Sequence, residues 1–582
     1  MTNDSGGARR GAAWLVIIGA AVAFYGYGAR AGALQPAYTD ETSYYTIYAM
    51  QLAQRLLLGA PTKFVTVFPS GYSLVLMIVY GGWYSLGRLT GEFSGTTDFL
   101  VRYAVHREEF TVLARWVSAA FAAAALPGAY LTARRLFNAR VAVIATLALA
   151  LCYPMVFYAH LATNNTMLIC LSAWTLYWIA RVWQEGTRRS YLAAGALIGA
   201  GIGTKYYPAV WFLSLALAHV YRQRDGGIAV RRMLVTDETW KLVAAGAVAV
   251  PVVFLFFPLP LVDPVQWWVG MVSNLVYYTG GNMGANALSY LVGSATVFET
   301  TTAEPVSWWS NSFLVLSHTG LAWICAGVAF GLVALRRPTL LLTAPFLLFF
   351  AYQSARGGLG LGVRQFFFAL PALWIAASAA LDEACRRLGL RAVSPAALTI
   401  VAASVLLIEP ASWAARFLVL SSRPTTVETA RLEMAELVPA GSALLVDSAV
   451  APYGETAEWR DAGVQQTDVS GEAADRAREA RRRAAPRFDV QELRWKDAPD
   501  DLRAAARRGD PVYVALTDYQ TTGYWDPETI RVWGNISAPR AEARRAYVRE
   551  LLARTEIVRV YRPRELKALG PTVTLLRFIS TK

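Results

Sequence analysis

Charge is scarce in this chain. Only 16% of its 582 residues are Asp, Glu, Lys or Arg, while 55% are hydrophobic. A soluble domain of ordinary composition is excluded. Cysteine is scarcer: Cys152, Cys170, Cys325 and Cys385 lie within or at the ends of apolar segments, with no CxxC pair and no metal-ligand spacing. That excludes a disulfide framework and a cysteine zinc site. Common catalytic signatures are missing too. There is no HExxH, no GxSxG and no DxD in a supporting context. "GGLGLG" (357–362) follows no strand, and "GIGTK" lacks the Ser or Thr that a phosphate loop needs after its Lys. No long internal repeat is visible, which argues against a secondary transporter built from two halves.

What is present is a series of apolar runs. A bilayer core needs about 20 apolar residues per helix. Eleven candidate spans meet or approach this: 12–33, 110–133, 141–158, 166–184, 191–204, 206–221, 241–259, 312–335, 339–354, 365–384 and 392–409. The opening "MTNDSGGARRGAAWLVIIGA" resembles a signal sequence, but its apolar run continues to Ala33 with no clear cleavage site. It is expected to remain as the first helix. The net charge of +14 comes largely from Arg pairs between apolar segments, the pattern that orients membrane helices. Nucleic acid is not an expected partner.

A twelfth run, 70–87, is long enough to cross. If it lies in the outer interface instead, Arg9/Arg10, Arg134/Arg135/Arg140, Arg188/Arg189, Arg222/Arg224/Arg231/Arg232, Arg336/Arg337 and Arg386/Arg387/Arg391 share one side. Loop 261–310, which has no Lys or Arg, then falls on the other. If it crosses, most of these clusters face outward. The positive-inside rule selects the first arrangement. The N-terminus is then cytoplasmic in a plasma or inner membrane, and everything beyond residue 424 is extracytoplasmic.

The expected organisation is a membrane domain over 1–424 and an outer domain over 425–582. The first outer loop, 34–109, carries an amphipathic surface helix at 41–58; 261–310 is a second outer loop. Past Arg423-Pro424 the composition shifts. "SALLVD" (442–447), "VYVALTD" (512–518), "IVRVY" (557–561) and "TVTLLRF" (572–578) read as strands among helical segments, giving a small α/β domain. The Arg-rich run 476–487 reads as a solvated helix face or a contact for anionic lipid heads.

Four constellations can carry chemistry. Asp40 and Glu41 follow the first apolar run, with Tyr44 close behind. Carboxylates beside a bilayer are costly unless solvated or paired, so they are functional candidates as well as a plausible helix start. Lys205, Arg356 and Arg364 are cations at outer helix ends, where the positive-inside tendency disfavours them. Phosphate binding and snorkelling both account for them. Arg115, Lys63 and Arg88 are weaker members of that set. The loop around Tyr278 and Asn282 interleaves aromatics, Gly and Asn, which suits sugar recognition or an interfacial aromatic belt. His160, Asn164 and Asn165 in "HLATNNTM" can line a polar cavity, or Asn165 can cap the next helix.

These segments, in this order, resemble one known family. "TDETSYY" (39–45) looks like the D-E-x-x-Y pattern of GT-C glycosyltransferases of the family-39 type, which includes protein O-mannosyltransferases and the lipid A aminoarabinose transferase. "FPSGYSLVL" (68–76) is similar to that family's P-P-G-Y juxtamembrane helix. "ARRLFNAR" (133–140), "GIGTKYYPAVW" (201–211), "VYYTGGNMG" (276–284) and "VRQFFFALPALW" (363–374) match further segments. "LGPTVTLLRF" (569–578) closes a C-terminal domain like the one many members carry.

The resemblance implies a GT-C fold: a polytopic α-helical membrane protein of about eleven transmembrane helices, with juxtamembrane helices and a soluble α/β domain. It implies a polyprenyl-phosphate sugar as donor and a glycan, glycolipid or protein hydroxyl as acceptor. Asp40 becomes the catalytic carboxylate, and Glu41 orients the acceptor or Asp40. Lys205 and Arg364, with Arg356, become donor-phosphate ligands; Tyr44, His160, Asn164, Asn165, Tyr278 and Asn282 become substrate-lining. No cofactor is required, although a divalent cation is compatible, and no metal ligand is assigned. Many members carry Asp where this chain has Asn164-Asn165, and His where loop 276–284 has Tyr and Asn. A neutral amide binds a hydroxyl but supplies no charge. Two rival expectations are a transporter or flippase of lipid-linked precursors and an inactive relative that only binds them.

Overall fold

An apolar run inside a bilayer must satisfy its backbone hydrogen bonds within itself, and a helix does so. In chain order the first helices are α1 (Ser5–Gly26), α2 (Thr46–Leu58), α3 (Gly71–Thr90) and α4 (Thr96–Val105). The bundle continues with α5 (Arg107–Leu136), α6 (Ala139–Leu151), α7 (Tyr153–Ala159), α8 (Asn165–Glu185) and α9 (Arg188–Thr204). Then come α10 (Trp211–Asp225), α11 (Asp237–Phe256) and the single turn α12 (Leu259–Val262). Next are α13 (Arg337–Ala355), a 3-10 segment (Val363–Ala369), α14 (Leu370–Leu388) and α15 (Pro395–Ser421). The structure is a computed structural model and describes residues 5–33, 45–58, 69–228, 233, 236–265, 267–269, 272, 336–355, 363–388, 394–446, 472–483, 488–493, 511–517, 546, 549–566, 569 and 572–579.

Every candidate span contains a helix except 312–335, which lies outside the described residues; the run 12–33 is helical only to Gly26 and ends in turns. Among the described residues, five helices are long and apolar enough to cross a membrane, or six if α6 and α7 form one broken span. The protein is therefore a multi-pass helical membrane protein with a C-terminal sheet domain.

Two expectations change in detail. The run 141–158 is two helices bent by 52°. Cys152 is extended (φ −66°, ψ 136°), and Pro154, in the first turn of α7, has no N–H with which to continue the α6 ladder. The run 206–221 starts as a 3-10 turn over Tyr207–Val210 and becomes α-helical at Trp211.

The helices differ in what surrounds them. The span through α14 is 94% buried, whereas that of α11 is only 11% buried. One is the centre of the bundle; the other faces lipid. α9 reaches α11 through glycines four residues apart, which share one helix face. A Cβ on Gly195 would fall 2.1 Å from the Ala245 carbonyl oxygen, and one on Gly199 would fall 2.4 Å from that of Ala249. This is the small-residue packing of membrane helices, and it fixes the tip of α9, where Thr204 and Lys205 sit.

One end of the bundle is tied by ion pairs. Asp382, 1% exposed at its side chain, meets Arg140 at 3.2 Å and Arg386 at 3.4 Å; Glu383 meets Arg336 and Arg387, both at 2.9 Å. Arg222–Glu238 and Arg135–Glu185 join further helices. The opposite end carries α2, α3, α4 and the sheet domain. α3 buries one face, with Tyr72, Leu76 and Tyr80, and leaves apolar Ile78, Leu86 and Leu89 exposed on the other.

The C-terminal domain opens with α16 (Thr426–Leu437), started by a capping box between Thr425 and Glu428. Its sheet comprises β1 (Ala443–Val446), β2 (Asp489–Glu492), β3 (Val512–Thr517), β4 (Thr555–Tyr561) and β5 (Val573–Phe578), in the order β2-β1-β3-β5-β4. β1 is parallel to β2 and β3; β5 is antiparallel to β3 and β4. Strand alternation sends Leu444, Val446 and Tyr513 toward α16 and Leu445, Val512 and Val514 to the other face.

The Arg-rich run is not merely a solvated face. It forms α17 (Glu472–Arg483), whose Ala474 and Ala477 pack on Ala104 of α4. Arg476 pairs with Asp98 at 3.1 Å.

Two predictions follow from this packing. Gly199→Val should overpack the α9–α11 contact and cost about 1–3 kcal/mol in detergent unfolding, whereas Gly246→Ala, with no atom within 4 Å of its added carbon, should not. Hydrogen bonds from the Ser94 hydroxyl and backbone N–H, aided by Arg476, hold the Asp98 carboxyl below the usual range. A depressed carboxylate stabilises above its unfolded value, and that contribution is lost as pH falls through its folded value. Exchange in α17 should therefore rise on acidification below about pH 4, with Asp98→Asn flattening the response.

Candidate active site

The sequence places its acidic pair between two anchored chain ends. The first is the turn that leaves α1. Gly28 and Gly32 take left-handed φ values of 79° and 65°, open to glycine at no steric cost. Arg115, near the start of α5 and 5% exposed, donates Nη1–H to the carbonyl oxygens of Ala29 at 2.9 Å and Ala31 at 2.7 Å. His160, just after α7, sets Nε2 2.8 Å from the Tyr27 carbonyl oxygen and Nδ1 2.7 Å from that of Val156. Both ring nitrogens face acceptors; a doubly protonated ring donates to both, a neutral one to a single carbonyl. Three of the carbonyls between Tyr27 and Ala31 are thus held by side chains of α5 and the α7–α8 loop.

The second anchored end is Tyr45. Its carbonyl accepts the Ser73 hydroxyl at 3.2 Å, and its ring packs edge-on against Tyr72 at 5.4 Å. The Tyr72 hydroxyl donates to the Ala114 carbonyl oxygen at 2.8 Å and lies 2.7 Å from Ser118 Oγ. Residues 34–44 join these two ends.

A buried polar cluster continues from there. Ser118 donates to the Thr163 carbonyl oxygen at 3.4 Å, and Asn165 Nδ2 donates to Thr163 Oγ1 at 3.1 Å. Asn164 Nδ2 donates to the Thr204 carbonyl oxygen at 3.2 Å, joining the α7–α8 loop to the tip of α9. Among the described residues, Asn164 Oδ1 and Thr166 Oγ1 are buried with no hydrogen-bond partner. Buried acceptors are rarely left unmet in an interior with no further role. Asn164, not Asn165, holds the N-cap position of α8, and its side chain does not cap.

Lys205 ends α9, its N–H bonded to the Gly201 carbonyl oxygen at 2.8 Å. Its side chain is 9% exposed, and its ammonium lies 5.4 Å from the centre of the Tyr207 ring. Gly71, at the start of α3, leaves no room for a side chain beside Thr204. Arg55 of α2 pairs with Asp263 at 2.7 Å, joining α2 to the residue that follows α12.

The structure thus brings His160, Asn164, Asn165 and Lys205 to one end of the bundle. Arg364 lies in the 3-10 segment entering α14; its side chain is outside the described residues, as are Asp40, Glu41, Tyr44, Arg356, Tyr278, Asn282 and Lys63. Arg88 bonds the Phe93 carbonyl oxygen of its own loop. Sequence reading missed Tyr72, Ser118, Thr163 and Thr166. Ser118 was detectable as the residue one turn from Arg115 on the same face of α5. Among the described residues, no group of three His, Cys, Asp or Glu side chains could hold a metal.

Replacing Arg115 with Met should remove two charge-assisted bonds, lower stability by about 2–3 kcal/mol, and raise hydrogen exchange across Tyr27–Ala33. Unchanged exchange there would contradict the clamp.

Residues 106–256 match the family model described as dolichyl-phosphate-mannose-protein mannosyltransferase. No curated protein gives a significant match. Among solved structures, ArnT from Cupriavidus metallidurans bound to undecaprenyl phosphate aligns at 14% identity, over 98% of each chain, with a TM-score of 0.47. The Archaeoglobus fulgidus oligosaccharyltransferase in its apo form aligns at 13% identity, over 91% of this chain and 72% of that one, with a TM-score of 0.45. The Pmt1-Pmt2 protein O-mannosyltransferase complex of S. cerevisiae, bound to its sugar donor, aligns at 17% identity, over 44% of this chain and 34% of that one, at 0.30. The family match spans Arg115, Asn164 and Lys205 and covers less than half of the chain.

Proposed function

We propose that this chain transfers a sugar from a polyprenyl-phosphate donor to an acceptor hydroxyl on the extracytoplasmic face of the membrane, inverting the anomeric centre. One observation carries the reading. Lys205, the Asn164 loop and both anchored ends of the segment bearing Asp40 and Glu41 meet at one end of a membrane bundle. A lipid-tethered phosphate and a water-borne hydroxyl can meet only at such an interface.

The orientation follows from charge. The end tied by Arg140, Arg336, Arg386 and Arg387 is cytoplasmic under the positive-inside rule. The opposite end and the sheet domain then face outward, with the N-terminus inside.

In the reaction the acceptor oxygen attacks the anomeric carbon as Asp40 takes its proton. The bond from that carbon to the phosphate oxygen breaks, and its electron pair stays with the polyprenyl phosphate. Lys205 and Arg364, with Arg356, hold that phosphate and stabilise the charge growing on it. Glu41 orients Asp40 or the acceptor. Tyr44, His160, Asn164, Asn165, Tyr278 and Asn282 line the substrate path, and the unmet Asn164 Oδ1 is free to accept a hydroxyl. No cofactor is obligatory, and a divalent cation is the one ion this reading accommodates. Acceptors are glycan, glycolipid or protein hydroxyls.

Asp40→Asn should lower transfer by about 10²–10⁴-fold while the folded protein still binds undecaprenyl phosphate. Lys205→Met should weaken that binding. Transfer that survives Asp40→Asn contradicts the base assignment. Flux of labelled polyprenyl-phosphate sugar across vesicles without transfer would point to a flippase instead.

A further inference from the structure

The junction between the membrane bundle and the sheet domain lies against the turn that leads to Asp40. Glu428, in the first turn of α16, accepts the Gly32 N–H on Oε1 at 2.8 Å and its own helix's Thr425 N–H on Oε2 at 2.9 Å. One carboxylate therefore starts the first helix of the outer domain and holds the chain eight residues before Asp40. The seat is tight. A Cβ on Gly28 would fall 2.5 Å from the Ser421 carbonyl oxygen, and one on Gly32 would fall 3.0 Å from Thr425 Cγ2. The junction is also tied into the sheet: the Thr426 N–H donates to the Leu569 carbonyl oxygen at 2.9 Å, a few residues before β5.

Arg115 and His160 hold the carbonyls of this turn from the membrane side. Glu428 holds an N–H from the outer side. A capping box needs the Glu only for its own helix; the second oxygen of Glu428 is committed to a segment 396 positions away.

We propose that Glu428 is a positioning residue for the transfer reaction: through Gly32 the outer domain fixes where the acidic segment begins. This rests on Asp40 as the base. The carboxylate touches neither donor nor acceptor. It acts by holding the backbone that delivers Asp40, and a base displaced by about 1 Å loses much of its effectiveness.

Thr425→Ala provides the control. It removes the other half of the capping box, the Glu428 N–H to Thr425 Oγ1 bond at 3.1 Å, and leaves the Gly32 bond in place. The full chain carrying Glu428→Ala, Glu428→Gln, Thr425→Ala or Asp40→Asn is expressed in cells lacking the native gene. Mass spectrometry measures the envelope glycan that gene deletion removes, and hydrogen exchange of the purified protein in nanodiscs reports on Tyr27–Ala33. Glu428→Ala should speed exchange at Gly32 and cut product about tenfold or more. Glu428→Gln, which keeps an acceptor oxygen, should fall between it and the native protein. Thr425→Ala should lower the melting temperature comparably, with product within about twofold of native. Equal product loss in Glu428→Ala and Thr425→Ala, or unchanged exchange at Gly32, overturns the proposal. Product lost in Asp40→Asn but kept in Glu428→Ala overturns the positioning role alone. Product kept in Asp40→Asn overturns the base assignment, and with it the positioning role that rests on it.

Discussion

The grip on the turn after the first helix is the constraint on which the candidate-site end of this protein depends. Arg115 is buried, and a buried guanidinium must be met by acceptors. It finds two backbone carbonyls, Ala29 and Ala31, in a turn shaped by left-handed Gly28 and Gly32. The same contacts satisfy peptide groups that a helix end leaves open. Cation and chain end therefore stabilise one another, and the residues that follow start from a fixed place. His160 and Glu428 extend the grip with contacts from the α7–α8 loop and the outer domain.

The two ends of the bundle use charge differently. At one end, carboxylates and guanidinium groups neutralise each other around Asp382 and Glu383 and tie α6, α13 and α14 together. At the other, the described residues include ion pairs between Arg55 and Asp263 and between Arg476 and Asp98, while Arg115 is met by carbonyls and Lys205 lies beside a ring. Lys205 sits on a helix tip located by Gly195, Gly199 and Gly203 against α11 and by the Asn164 amide. The position of this tip derives from close backbone packing along α9, because α9 cannot shift along α11 without clashing.

Much of the architecture was legible in the sequence because its signals are physical necessities of a bilayer. Apolar runs became helices, and Arg pairs gathered at one end. The long run 141–158 concealed a bend at Cys152, for which Pro154 was the visible cause. Four of the five strands follow β-branched and aliphatic alternation. β2 (Asp489–Glu492) was missed because "DVQE" offers one apolar residue and pairs along only one edge. The Arg-rich α17 was read by its charge, whereas its contact uses Ala474 and Ala477, small residues three apart. In the site, Lys205 and Asn164 stood out as polar residues in apolar surroundings. Glu428 did not: its motif reads as an ordinary helix start, and only the fold brings Gly32 to its second oxygen. Tyr72 and Ser118 were likewise hidden, since their roles depend on α3 lying across α5.

The central claim is spatial: the donor phosphate rests against Lys205 and the Asn164 loop at the outer end of the bundle. A photoreactive polyprenyl phosphate, with the reactive group beside the phosphate, tests it directly on the full chain in nanodiscs. The label should enter peptides covering 160–166 and 203–207, and undecaprenyl phosphate should displace it where the uncharged undecaprenol does not. Label confined to the lipid-facing surfaces of α11 and α15, competed equally by both lipids, would contradict the account.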